Sequence, residues 1–296
     1  MNSDRELLTL CDEVWETSLR ENPVSATYLG DFRYNDRLTD LSPAGRARRR
    51  GLNEGFLKRL QAIDRASLSE GDRVTADILR TQLEFAREED GHTFWQWDVD
   101  QMAGPQADFP QLLNFHPHSD LKGLEARYRA FPAYIAQYLD NLREGVREGR
   151  TAVRPAVERV IGQLEALLAQ PAEKSPFAVR PELLPAIREA VHPAYRAMLD
   201  YLKGEYLPKS RAKDMGLWAL PGGAEAYRYR IRAHTTTDLS AEAIHRIGLE
   251  ELRSIHEEMK KISGGDLKGF MEKLKKDPKN YFASREDLLE TARREV

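Results

Sequence analysis

The residues that come nearest in type and spacing to a known catalytic motif, and prove a decoy, are His256, Glu257 and Lys260. His256-Glu257-Glu258-Met259-Lys260 reads HExxK, one residue away from the HExxH helix of zinc peptidases. That motif works because its two histidines lie one helical turn apart and face one metal, with the glutamate beside it. Lys260 is cationic at neutral pH and cannot be the second ligand. His245 and His256 lie about three turns apart on one helix, roughly 16 Å, and cannot share an ion.

The other candidates are weaker. His116-Pro117-His118 presents two imidazoles in a loop, near Asp108 and Asp120 in sequence. A zinc site needs three or four ligands, so a surface or turn pair is the plainer reading. Cys11 is the sole cysteine, which excludes an intramolecular disulfide framework. It falls on the apolar face of the first helix and reads as a small buried residue, with no base to activate it. His234 precedes Thr235-Thr236-Thr237, hydroxyls suited to capping the approach to a helix. No carboxylate pair can be assigned as an acid/base couple from spacing.

Binding chemistry has better candidates. Trp95, Trp97 and Trp218 fall in segments without helical periodicity, where they either line a substrate cleft or plug a core between helices. Leu220-Pro221-Gly222-Gly223 makes a tight turn whose backbone can approach a ligand closely; no Lys-Ser/Thr follows, so it is not a phosphate loop. Tyr227 follows it. Trp95, Trp97, Trp218, Gly222, Gly223 and Tyr227 are the candidate substrate-binding residues; no catalytic or metal residue is assigned. Arg46, Arg48, Arg49 and Arg50 read as a solvated helix face, since no aromatic residues interleave them.

These residues are positioned by helices. The first runs from about Asp4 to Leu19, with Leu7, Leu8, Cys11, Val14, Trp15 and Leu19 as its stripe. A second covers about Pro43 to Asp64 with Leu52, Phe56, Leu60 and Ile63. Ser69 and Asp72 suggest a capping box for the next, which carries Val74, Ile78, Leu79 and Leu83. Residues 91–120 form an irregular aromatic segment with room for a short strand at Thr93 to Val99. Leu124, Tyr128, Phe131, Ile135, Tyr138 and Leu142 then share one face, with Pro132 kinking or restarting that helix. Pro155 opens a helix carrying Val157, Val160, Ile161, Leu164 and Leu168. Another runs from about Pro181 to Leu207 and should bend at His192-Pro193. The helix after Ser240 carries Ile244, Ile247, Leu252, Ile255, Met259 and Ile262 and ends at Gly264-Gly265. Ser284 and Asp287 open a last helix still running at Val296, an end that reads as a cut through a structure. The fold class is mostly α, a multi-helix array of long antiparallel helices.

Composition narrows the rest. The chain has 296 residues, 31% of them charged, with a formal net charge of -3. That field gives no reason to expect nucleic acid. No apolar run approaches the roughly 20 residues a membrane span needs. The charged, amphipathic N-terminus is no signal peptide, which points to the cytoplasm.

Three stretches resemble the bacterial domain-of-unknown-function 885 family, whose members are associated with zinc metallopeptidases and lipoproteins. They are Asn22 to Ser42, NPVSATYLGDFRYNDRLTDLS; Tyr128 to Pro155, ending LREGVREGRTAVRP; and Gly216 to Met259, with LPGG, Tyr227, the Thr cluster and Ile244-His245-x-x-Gly248. The resemblance implies a zincin-like helical peptidase around a central channel, with zinc held in a C-terminal half beyond these residues. Residues 1–296 would then be the N-terminal part of a larger family domain, with internal boundaries near 91–120 and 208–240 as alternatives. The chain would supply channel wall and contacts to a peptide substrate, would need the missing C-terminal half as partner, and would be inactive alone, binding no zinc itself. The alternative is a non-enzymatic helical module that binds a ligand or a protein through its aromatic loops.

Overall fold

The computed structural model describes residues 3–295. The expectation about the chain end at Val296 therefore lies outside the described residues. Contacts divide the chain into a first unit through Ala233 and a second from His234.

The first unit begins with α1 (Ser3–Glu21), α2 (Pro23–Tyr28), α3 (Pro43–Ala62) and α4 (Glu70–His92). Leu7 and Leu10 of α1, Phe56, Leu57 and Leu60 of α3, and Ala76, Leu79 and Leu83 of α4 close one apolar core. The expected stripes are partly displaced. Leu8 and Trp15 of α1 and Val74 and Ile78 of α4 are exposed, because the buried arc of α1 runs through Leu7, Leu10 and Val14 rather than Leu8 and Trp15. Cys11 is half-buried against this core. Ser69 caps α4 by accepting from the Asp72 N–H, but the reciprocal bond to its own N–H comes from Asp4 of α1 at 3.0 Å. The capping box is thus completed by a neighbouring helix.

Next come α5 (Pro105–Leu112), α6 (Leu121–Arg147) and α7 (Arg154–Leu168). Leu124, Tyr128, Phe131, Ile135, Tyr138 and Leu142 of α6 are all buried, as their spacing implies. They pack with Val157, Val160 and Leu164 of α7 and with Tyr195, Met198 and Leu202 in a second core. α6 continues through Pro132 without a restart. The next helical run absorbs its prolines differently. After α8 (Leu184–Ala186) a π turn at Ile187–Val191 leads into α9 (His192–Tyr201), and a second π turn at Leu202–Tyr206 precedes Pro208. Proline has no N–H to give its turn; a wider turn before each proline lets the helical path continue. α10 (Gly223–Thr235) is the last helix of the unit, its final two residues falling beyond Ala233.

Residues 91–120 differ from expectation. Thr93–Val99 holds no strand; a 3₁₀ turn spans Phe94–Gln96 and α5 follows. Thr93 lies at φ 51°, an unusual conformation for a β-branched residue. It caps the end of α4 and turns the chain sharply, which an extended strand could not do.

The loop after α2 is held by Arg127 of α6, one of the largest fully buried side chains. Its Nε donates to the Arg37 backbone oxygen at 2.9 Å, and its Nη2 donates to Pro23 O at 3.0 Å and Thr27 Oγ1 at 2.9 Å. Its Nη1 lies 3.1 Å from His116 Nδ1. A guanidinium can only donate, so Nδ1 is the acceptor and the His116 proton sits on Nε2. That Nε2–H faces Asp120 Oδ2 at 3.2 Å. His118 points elsewhere, donating to Leu113 O at 2.8 Å. The two histidines therefore do not act as a pair.

The second unit contains α11 (Ala241–Ser263), α12 (Leu267–Lys276) and α13 (Arg285–Glu295). Ser240 caps α11, and Gly264, at φ 62°, closes it. None of these helices buries a residue. Ile247, Leu252, Ile255, Met259 and Ile262 are exposed along α11.

Burial, then the Arg127 charge, lowers the His116 pKa from 6.5 to about 4. The unfolded chain takes up this proton near 6.5, while the folded chain resists it until about 4. Stability is therefore complete above pH 6.5 and falls as the pH drops through that window, by roughly 3 kcal/mol. Thermal melts should show the midpoint falling between pH 6.5 and 4, with the His116 ring signal unmoved in NMR until near the lower end. A His116 titration near 6.5 would contradict the buried, neutral assignment.

Candidate ligand cavity

A cavity of about 300 Å³ opens between α3, α4, the Phe94–Gln96 turn and α6. Leu41, Ala86, Phe94 and Trp95 give it an apolar wall; Arg46, Arg49, Arg50, Asn53, Glu89, Asp90 and Asn141 give it a polar one. The arginine run on α3 is not the uniformly solvated face that its sequence suggests. Arg46 and Arg49, three residues apart, share one side of the helix, about 100–200° round from Arg48, and that side is the less exposed one. Arg46 stacks its guanidinium 4.6 Å from the centre of the Trp95 ring. It also donates to Asn141 Oδ1 and to Leu41 O. Arg48 stays outside, paired with Glu21 at 3.0 Å.

The floor of the cavity is set by a hydrogen-bonded frame. Arg46 reaches Glu144 of α6 at 3.4 Å, and Gln96 Nε2 donates to the other oxygen of the same carboxylate at 3.1 Å. Arg150 Nη1 donates to Thr93 Oγ1 at 2.8 Å and to Gln96 Oε1 at 2.9 Å. The strained Thr93 is thus held by a charged donor. Arg150 Nε also donates to the Pro221 backbone oxygen at 3.3 Å, tying the Leu220-Pro221-Gly222-Gly223 turn to the same frame.

The candidate binding residues are distributed as follows. Trp95 lines the cavity. Trp97 is half-buried, its ring edge-on to Phe94 at 5.5 Å. Gly222 takes φ 70°, which glycine adopts without strain. Gly223 is buried, and a Cβ there would fall on the Leu217 backbone oxygen. Trp218 is 70% exposed, and Tyr227 is also exposed. The structure brings Trp95, Trp97 and the glycine turn onto one frame, and leaves the side chains of Trp218 and Tyr227 in solvent.

The sequence did not single out several residues that line the cavity or pack against its Phe94 wall. Tyr229, two residues beyond Tyr227, is buried, and its ring lies 6.1 Å from Phe94. Arg230 stacks 3.8 Å over Phe94 and pairs with Glu89 at 3.2 Å. Arg49, Asn53 and Asn141 were also unassigned. An available signal was the helical phase of Arg46, Arg49 and Asn53, which falls on one side of α3.

Burial holds the Arg49 pKa below its ordinary value, as it does for Arg46. Both remain charged at neutral pH. Among the described residues, no group of three or more His, Cys, Asp or Glu side chains is placed to hold a metal ion. In the second unit His256 is exposed, and Lys260 of the same motif pairs with Glu257 at 3.3 Å.

Comparison with known proteins agrees with this all-helical picture. The family model described as bacterial protein of unknown function (DUF885) matches residues 23–296, and the chain belongs to that family. A crystal structure described as that of the putative lipoprotein from Colwellia psychrerythraea is similar, with a TM-score of 0.80 at 19% sequence identity. The match covers 98% of this chain and 57% of that one, so the chain spans little more than half the relative's length. At that identity the likeness speaks to fold alone. No curated protein matches. Among the described residues no helix is long and apolar enough to cross a membrane.

Gly145 tests the frame. It lies on α6, where a Cβ would fall on the backbone oxygens of Gln96 and Arg150. Alanine would gain up to ~1 kcal/mol of helix propensity. Overpacking costs about 1–3 kcal/mol, and backbone oxygens cannot rotate aside as a side chain can. Gly145→Ala should therefore destabilise the protein by about 1–2 kcal/mol in urea unfolding. A stabilised variant would show that the turn is not seated on α6 as described.

Proposed function

We propose that this chain is a helical binding module whose ligand site is the cavity beside Trp95. The observation that carries this reading is a walled cavity of about 300 Å³ with a mixed apolar and cationic lining. Its size is at the lower end for small-molecule sites, and its make-up of apolar walls with a few placed polar groups is typical of them. The frame of Arg46, Gln96, Glu144 and Arg150 supports it by fixing the Trp95 turn before any ligand arrives. A ligand-observed NMR screen of small fragments checks it. Binders should shift the Trp95 indole N–H resonance and should weaken when Trp95 is replaced by leucine. Binders that leave that resonance still and ignore the substitution would move the site elsewhere.

A second reading takes the chain as the N-terminal helical shell of a zinc-dependent peptidase. It is supported by the 57% coverage of the longer relative and by the uncovered apolar stripe of α11. An amphipathic helix with a continuous apolar face normally has that face covered. In this reading further chain covers α11, the zinc and its motif lie in that chain, and this part contributes wall and peptide contacts in the cytoplasm. Ile255→Glu with Met259→Glu should then reduce apolar-dye binding and light scattering by the isolated chain without loss of helix content. Unchanged dye binding would place the sticky surface off α11. For the longer protein, peptidase activity that survives chelation would remove the zinc from this reading.

A further inference from the structure

If the Trp95 cavity is the binding site, as proposed above, its charge decides what enters. Arg46, Arg49 and Arg50 line it, and Arg230, which is not itself part of the lining, stacks over Phe94 of its wall. Three of these guanidiniums are answered by a carboxylate. Arg46 meets Glu144 at 3.4 Å, Arg50 meets Asp90 at 3.1 Å, and Arg230 meets Glu89 at 3.2 Å. Arg49 has no ion-pair partner among the described residues. Its one hydrogen bond there runs from Nη1 to the Asp40 backbone oxygen at 2.8 Å. The guanidinium has five N–H donors, so most of its capacity is unused.

Asn53 lies one turn further along α3, on the same side. Its side chain makes no hydrogen bond among the described residues, yet it lines this cavity and a second one of about 250 Å³ that Arg49 also lines. A partly buried cation and a free amide one helical turn apart, beside an apolar wall, form a recognition pair for an anion. We propose that the cavity binds a small organic monocarboxylate, its carboxylate against Arg49 and Asn53 and its hydrocarbon body against Leu41, Phe94 and Trp95.

The charge count selects a monoanion. Within the lining, Arg46, Arg49 and Arg50 stand against Glu89 and Asp90, which leaves one positive charge for the ligand. A dianion such as phosphate would carry a second charge into a space that Glu89 and Asp90 also line. Like charges there are unfavourable, and the low local dielectric enlarges the effect. The apolar wall argues the same way, because a phosphate has no hydrocarbon to bury.

Benzoate is a suitable probe, with benzamide as a neutral molecule of nearly the same shape. Titrated by calorimetry or NMR into the whole chain, benzoate should bind saturably and at least about tenfold more tightly than benzamide, the usual scale of a charge-assisted hydrogen bond. Inorganic phosphate should not displace it. Arg49→Gln should weaken benzoate by about tenfold or more, while Lys58→Gln, which removes an exposed charge from the same helix, should not. Equal binding of benzoate and benzamide, displacement by phosphate, or an Arg49→Gln variant that binds benzoate unchanged would overturn the monocarboxylate assignment and leave the cavity as a ligand site. Failure of both molecules to bind the folded protein would overturn the cavity reading with it. The benzoate–benzamide comparison uses the unaltered chain, so it decides even where a variant is poorly folded.

Discussion

The first unit depends on a buried charge. Arg127 lies inside the protein with almost no exposure, and it is kept there by carbonyls rather than by a carboxylate. Its donors reach the start of α2, the loop after it and His116, so one side chain of α6 gathers segments about 90 to 100 residues away in sequence. Burial brings its pKa down to about 10 against the opposing pull of Asp36 and Asp120, and it stays charged at neutral pH. A buried guanidinium is tolerated only when its hydrogens are answered, and each backbone oxygen left unanswered would cost about 1–3 kcal/mol. The irregular loop is therefore as constrained as a helix, because moving it strands both partners.

The same device recurs with tyrosines. Tyr128 of α6 donates to Phe177 O at 2.9 Å, and Tyr195 of α9 donates to Pro105 O at 2.8 Å. The Ala152 N–H donates to Tyr206 Oη at 2.8 Å. Each ring fills the core, and each hydroxyl holds a backbone group in a loop or at the start of a helix. This accounts for a core rich in tyrosine where leucine would pack as well: loops running between helices must have their buried peptide groups answered, and long polar-tipped side chains reach them.

The sequence made the helices readable wherever one core buried one stripe. α6 shows this best, since all six expected positions are buried and Pro132 does not interrupt it. Legibility failed where burial depends on partners far along the chain. Leu8 and Leu10 are equally apolar, and only the packing of α1 on α3 and α4 decides that Leu10 goes inside. The arginines of α3 show the same limit for the site. As a string they are four charges in five residues; on the helix two turn inward, where Trp95 and Asn141 receive Arg46. Trp95 was readable as a non-helical aromatic, but no local signal says that Arg46 will lie on its ring. Tyr229 and Tyr227 differ in burial for a reason equally remote, the packing of α10 on Phe85 and Phe94.

The Trp95 turn and the glycine turn after Leu220 are coupled by a single guanidinium. Arg150 donates to Thr93 and Gln96 on one side and to Pro221 on the other. Thr93 adopts a left-handed conformation worth roughly 1–2 kcal/mol of strain for a residue with a Cβ. That strain persists because Arg150 and Gln96 both bond its hydroxyl, and because Gly145 lets the turn sit directly on α6. A shift of Pro221 would free the Nε–H of the same guanidinium whose Nη1 holds Thr93 and Gln96. The cavity wall and the glycine turn thus form one mechanical piece, built from residues that neither helix propensity nor hydrophobic pattern would have grouped.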